Sequence, residues 1–230
     1  MREIVLDTET TGLDPFSGDR IVEIGAVELF NHMPTGNTYH QYINPERDMP
    51  EEAFAVHGLS ADFLSDKPVF KAIGQAFLDF IGDAKLVIHN ASFDMKFLNA
   101  ELDWCQKPKI PMDQAIDTLE IARKKFPGAQ NSLDALCRRF GVDNTARTLH
   151  GALLDSEILA DVYLELIGGR QPGLVLDAAP VKATTGFAEP AGPRLARQRT
   201  TPLAARLTDE ERDAHAEFVK TLGDAPIWTR

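Results

Sequence analysis

Asp7 and Glu9 stand two residues apart where the apolar run Ile4-Val5-Leu6 ends. On an extended strand, side chains at that spacing project from one face, so both carboxylates can reach one cation. Thr10-Thr11-Gly12 then turns the chain. Two acids at a strand end suit a hard divalent ion such as Mg²⁺ or Mn²⁺, which takes oxygen ligands. The same Asp-x-Glu spacing recurs at Asp209 and Glu211, where a solvated helix start accounts for it. What distinguishes the first pair is its place at the end of an apolar strand.

Two further acids have similar settings. Asp94 follows an apolar run within His89-Asn90-Ala91-Ser92-Phe93-Asp94, near a helix start. A carboxylate in a first helical turn also suits the helix dipole, which gives a second reading of that residue. Asp155 follows His150 in Leu149-His150-Gly151-Ala152-Leu153-Leu154-Asp155. With a helix starting near Gly151, Asp155 points inward from its first turn and His150 stays in the loop ahead. A mobile imidazole beside a fixed carboxylate suits a general base next to a metal site. The His-x4-Asp spacing also occurs at His57/Asp62 and His89/Asp94, so a surface or capping histidine is the competing reading. Convergence of Asp7, Glu9, Asp94 and Asp155 would be strongly repulsive without cations. Two divalent ions offset that charge, and such a pair cleaves phosphodiesters. The chain has neither Cys pairs nor His-x3-His to hold zinc, and no GxxxxGK[ST] loop for a nucleotide triphosphate.

The elements that must position these residues can be read from periodicity. Ile4 to Leu6, Ile21 to Leu29 and Tyr39 to Ile43 predict three strands too close in sequence for helices between them, hence an antiparallel meander. Glu23 and Gly25 break the alternation of the second. Phe70, Ile73, Phe77 and Phe80/Ile81 then recur at helical spacing ahead of a fourth strand at Leu86 to Ile88. Helical patterns follow at Phe93–Leu102, Leu119–Lys125, Leu133–Phe140 and Ala152–Ile167, with a short strand near Ile116-Asp117. The expected fold class is α/β, one mixed sheet of antiparallel meander plus parallel strands flanked by helices, with a flexible C-terminal tail.

Composition shifts after that domain. The net charge of -11 belongs wholly to residues 1–170, because residues 171–230 carry eight acidic and eight basic side chains. Residues 177–206 are rich in Ala, Pro and Thr and read as a linker, or as an extended arm packed on the domain. Thr208 with Glu211 forms a capping-box pattern, and Ala214, Phe218, Val219 and Leu222 share a helical face that ends at Gly223. That face, with Ile227-Trp228 beyond it, is too small to fold alone and suits a partner. No run of 18 apolar residues predicts a membrane span, the early acidic residues argue against a secretory signal, and Cys105 and Cys137 read as reduced thiols. A cytoplasmic protein is expected. The acidity argues against nonspecific grip on nucleic acid, which depends on Lys and Arg.

Val5-Leu6-Asp7-Thr8-Glu9-Thr10-Thr11-Gly12-Leu13, His89-Asn90-x-x-Phe93-Asp94 and His150-x4-Asp155, in that order, resemble the three motifs of the DEDDh exonuclease superfamily. Within it the chain is most similar to the family of proofreading epsilon subunits of bacterial DNA polymerase III. Phe126-Pro127-Gly128, Asn131-Ser132-Leu133-Asp134-Ala135-Leu136-Cys137 and Arg147 to Asp155 carry that finer likeness. The resemblance covers residues 3–170 and implies a ribonuclease H-like fold and two-metal removal of nucleotides from DNA 3′ ends. It implies that Asp7, Glu9 and Asp155 bind one ion and Asp94 holds the second, with Asp7 shared. His150 would take the proton from the attacking water. It places Glu52 and His57 near the terminal nucleotide and Asn90 and Phe93 along the strand path; for His57 and Phe93, a satisfied loop histidine and a core phenylalanine are the alternatives.

The same resemblance assigns the tail. Gln171, Leu174 and Leu176, in Gln-x-x-Leu-x-Leu form, would bind the sliding clamp (beta), though six residues could equally begin a linker. Residues 207–230, including Trp228, would dock the polymerase catalytic (alpha) subunit. A linker of about 30 residues spans roughly 30 Å and gives effective concentrations near mM, so weak contacts suffice in an assembly. The competing functions are an exoribonuclease that trims RNA ends and a non-catalytic tether between clamp and polymerase. Two divalent ions would leave the domain near −7, roughly, still a poor match for DNA by itself.

Overall fold

The computed structural model describes residues 1–145, 147, 149–169 and 208–221. The chain divides into two units, Met1–Val175 and Leu176–Arg230.

Strand β1 (Arg2–Thr10) is the spine of the first unit, with Ile4, Val5 and Leu6 fully buried. It pairs antiparallel with β2 (Ile21–Phe30), which pairs antiparallel with β3 (Met33–Tyr42). On its other side lie β4 (Lys85–Ile88) and then β5 (Ala115–Asp117), both parallel, for a sheet order β3-β2-β1-β4-β5. The helices of this unit are α1 (Glu51–His57), α2 (Ala61–Leu64), α3 (Phe70–Ile81), α4 (Ala91–Trp104), α5 (Thr118–Lys125), α6 (Leu133–Phe140) and α7 (Ala152–Leu166).

Strand alternation divides the core between the two sheet faces. Ile4 and Leu6 point into a cluster with Phe70, Phe77, Phe97 and Leu98 of α3 and α4. Val5 points the other way, onto Leu159 and Tyr163 of α7. A central strand covered on both faces reads as a continuous apolar run, which is why Ile4-Val5-Leu6 lacks alternation. Each such fully buried side chain contributes about 1.5–3 kcal/mol relative to exposure. A third cluster, with Ala122, Leu136, Ile158 and Val162, joins α5, α6 and α7.

Two expectations need correction. The third strand begins at Met33 rather than Tyr39 and ends at Tyr42, leaving buried Ile43 beyond it. Its first half, Met33-Pro34-Thr35-Gly36-Asn37-Thr38, is exposed and polar, with a proline that only an edge strand tolerates. Helices α1 and α2 occupy a stretch given no element. α1 has no apolar stripe, since Phe54 and Val56 are exposed; its signals are Glu51 and Glu52 in the first turn and Gly58 in a left-handed cap at φ 72°.

In the second unit, α8 (Asp209–Lys220) carries the expected capping box: the Glu211 N–H donates to Thr208 Oγ1 at 3.2 Å, and the Thr208 N–H to Glu211 Oε2 at 2.9 Å. Phe218 is exposed. The clamp motif (Gln171, Leu174, Leu176), the linker and the end of the docking segment (Leu222, Trp228) lie outside the described residues. Among the described residues no helix is long and apolar enough to cross a membrane.

Candidate active site

The β1–β4 pairing stops at Val5↔Val87, so β1 runs on past its parallel neighbour with Asp7 and Glu9 on its extension. The chain leaves β4, passes Asn90 at φ 67°, and enters α4, whose first turn delivers Asp94 to the same end of the sheet. Thr8, on the opposite face of β1 from Asp7 and Glu9, donates its hydroxyl to Asp94 Oδ1 at 2.7 Å and fixes that carboxylate.

Asp155 arrives from the other face. In the β1–β2 register Asp7 lies opposite Gly25 and Glu9 opposite Glu23. A Cβ on Gly25 would stand 2.1 Å from the Ala152 carbonyl carbon, and Ser156 donates to the Gly25 carbonyl at 2.9 Å. Only glycine lets the first turn of α7 lie on the sheet there. The break in alternation at Gly25 is therefore what sets Asp155 beside Asp7 and Glu9. His150 sits in the loop before α7, half-exposed, its N–H bonded to the Val56 carbonyl at 3.1 Å. Glu9, His150 and Asp155 each present a ligand atom within 4.8 Å of one another.

The carboxyls divide into two electrostatic groups. Burial, then repulsion from Asp94, Glu9 and Asp155, raises Asp7 well above the usual carboxylate range. Burial, then Asp155, Glu23 and Asp94, pushes Glu9 up to about 8. Burial raises Asp94 to about 7 despite the Thr8 hydrogen bond. Burial acts on Asp155 too, but its bonds to His150 and Arg147 outweigh it and hold that carboxyl below its ordinary value. Closely set oxygen donors whose mutual repulsion a cation relieves fit a divalent metal site.

Arg147, given no role from sequence, is central here. Its Nε and Nη2 grip both oxygens of Asp155, the second at 2.7 Å, and its Nη1 donates to Asp134 Oδ1 at 2.8 Å. Nη2 also lies 2.8 Å from His150 Nδ1. Glu23 was read only as a break in a strand pattern. It is a fifth buried carboxylate beside Glu9, and His40 Nε2 meets it at 2.7 Å. The signal for Glu23 was a charge within an apolar run; the pairing of Arg147 with Asp134 had none, because only the tertiary fold joins α6 to α7.

Two pockets flank the carboxylates. One, of about 450 Å³, is lined by Glu9, Leu13, Val56 and Phe93 and also contains Glu52 and His57. His57 is buried and its imidazole is pushed below its usual pKa by burial, while Glu52 is exposed. Phe93 is half-buried and also stacks at 5.0 Å on Phe97, so it serves wall and core together. The other pocket, of about 710 Å³, contains Asp7, Asn90, Arg123, Asp134, Arg147, His150 and Asp155 beside apolar residues such as Leu133 and Leu159. The structure thus brings Glu52, His57 and Phe93 to one side of the carboxylates and Asn90 to the other.

Mixed sheet and clustered acids are those of a ribonuclease H-like exonuclease, and residues 4–163 match the family described as Exonuclease. The nuclease domain of a DEDDh-family 3′ exonuclease, bound to rAMP, shares the fold: TM-score 0.63 and 21% identity, covering 72% of this chain and 91% of that one. Exonuclease X in complex with 5′ overhanging duplex DNA aligns at TM-score 0.56 and 27% identity, covering 71% and 90%. DNA polymerase III subunit epsilon of Rickettsia felis is 51% identical over 96% of this chain and 97% of its own length. That of Escherichia coli K12 is 44% identical over 99% and 97%. The chain belongs to the exonuclease family and, within it, to the epsilon subunits of DNA polymerase III.

Proposed function

We propose that this chain is a proofreading 3′→5′ exodeoxyribonuclease that hydrolyses the last phosphodiester of a DNA strand and releases a 5′-mononucleotide. The observation that carries the reading is the gathering of Glu9, His150 and Asp155 ligand atoms within 4.8 Å, at a strand end that also holds Asp7. Asp7, Glu9 and Asp155 would hold one divalent cation and Asp94, with Asp7, a second. Two Mg²⁺ or Mn²⁺ ions held there would supply the Lewis acidity that phosphodiester hydrolysis needs. His150 accepts the water's proton, its loop position letting the imidazole reach a nucleophile above the carboxylates. The pocket of Leu13, Val56 and Phe93 offers apolar surface to the terminal nucleoside, with Glu52 and His57 as polar contacts. Asn90, in the other pocket, would contact the preceding part of the strand. A mispaired end unstacks at lower cost, so it reaches such a site more often.

The tail is assigned to assembly. Its relatives align over 96% and 99% of this chain, so the likeness runs through the tail and not the nuclease domain alone. Gln171, Leu174 and Leu176 would engage the clamp and residues 207–230, with Trp228, the polymerase catalytic subunit. The test is digestion of 5′-labelled single strands by the full chain. Stepwise shortening from the 3′ end with Mg²⁺ or Mn²⁺, none with chelator, and at least about 10³-fold loss for Asp7→Ala are expected. Unchanged activity in Asp7→Ala contradicts the reading, and faster turnover on RNA than on DNA would favour an RNA-trimming enzyme.

A further inference from the structure

We infer that Arg147 is a positioning residue that competes with the divalent cation for Asp155, with Asp134 as its second anchor, and so sets the metal affinity of the site. The inference rests on the metal-dependent reading above but concerns binding rather than turnover.

Arg147 has a side chain only 9% exposed, and it is held on three sides. Its guanidinium spends Nε and Nη2 on both oxygens of Asp155, the oxygens that a metal ion would take from this residue. The same Nη2 approaches His150 Nδ1 at 2.8 Å, and Nδ1 in turn lies 3.4 Å from Asp155 Oδ2. An arginine N–H can only donate, so a bond from Nη2 needs Nδ1 as acceptor while a bond from Nδ1 to Asp155 needs it as donor; the imidazole therefore holds one of the two contacts at a time. Asp134, at the start of α6, takes Nη1 at 2.8 Å and also accepts from Asn144 at 2.9 Å. Asp134 is 45% exposed, unlike the buried Asp155. A divalent ion that draws Asp155 away therefore leaves Arg147 paired with Asp134, not isolated. The bidentate fork is specific to guanidinium: a lysine at this position keeps the charge but cannot cover two oxygens at once.

Mn²⁺ titration of the full-length chain, followed by the spectroscopic signal of free Mn²⁺, tests this without any substrate. Arg147→Lys is expected to bind Mn²⁺ several-fold more tightly than wild type, and Arg147→Gln at least as tightly as Arg147→Lys. Asp134→Asn, which removes the second anchor, is expected to bind several-fold more weakly. Unchanged affinity in Arg147→Lys with tighter binding in Arg147→Gln would mean that the arginine acts only through its charge, and would overturn the competition. Weaker binding in both arginine variants would show a residue needed to build the site, and would overturn it equally. Loss of activity in Asp7→Ala remains an independent check of the underlying nuclease reading.

Discussion

The two sides of the carboxylate cluster are built from the same chemistry and treated oppositely. Asp7, Glu9 and Asp94 come from β1 and the first turn of α4, fixed by strand pairing and by Thr8, and none of them is in an ion pair with a Lys or Arg among the described residues. Their carboxyls are raised by burial and by one another. Asp155 comes from α7 and is gripped by Arg147, which more than offsets its burial. One side is frustrated and would gain most from a divalent ion; on the proposed reading the other, already satisfied, would exchange one cation for another. Buried charge can thus be handled by leaving it strained for a ligand or by pairing it internally, and this site does both within a few residues.

The sharpest way to break the comparison is neutralisation on each side, measured by denaturant unfolding in chelator. Asp155→Asn removes one of the two carboxylate partners of a buried arginine, leaving Asp134, and is expected to cost about 2 kcal/mol. Asp94→Asn removes a strained charge while keeping an acceptor for Thr8, and is expected to gain about 1–2 kcal/mol. Changes of the same sign would erase the distinction.

Next in size is the separation between the two sides. Gly25→Ala puts a methyl against the Ala152 backbone, where the carbonyl carbon would be 2.1 Å away, so α7 must move off the sheet. If Asp155 acts as proposed, displacing its carboxylate by about an ångström costs on the order of 10²-fold in kcat. A fully active Gly25→Ala protein would show that Asp155 need not be held that closely.

The last test is pH dependence. A carboxyl whose folded pKa is raised stabilises the fold below its unfolded value and loses that contribution as pH rises through the folded value. With Asp94 near 7 and Glu9 near 8, metal-free stability should fall between about pH 5 and 8. The slope near neutrality should be about 1–2 kcal/mol per pH unit. Asp155, lowered, acts oppositely, and its contribution fades only in acid below the ordinary carboxylate range. Saturating Mn²⁺ should flatten the neutral slope, and a metal-free curve that rises across this window would contradict the shifts.

Much of this was legible in sequence because it rested on local pattern. The five strands and the helices around Asp94 and Asp155 followed from period and from apolar runs. The capping box of Thr208 and Glu211 needed only four consecutive residues. The start of β3 was missed because an edge strand need not be apolar, and α1 because its apolar residues face solvent. Gly25 was seen as an irregularity, yet its reason lies 127 positions away in α7. The pairing of Arg147 with Asp134 and Asp155 went unread for the same cause: both lie in stretches that carry the family likeness, but their contact is a product of packing, and no spacing rule encodes it.

The central claim is that these carboxylates hold two divalent ions at once. The most direct measurement is the stoichiometry of Mn²⁺ bound by the full chain with a single strand whose 3′-terminal linkage is a hydrolysis-resistant phosphorothioate. Two ions per chain are expected, falling to one in Asp94→Asn. A single ion in the wild-type protein, or two retained in Asp94→Asn, would contradict the account.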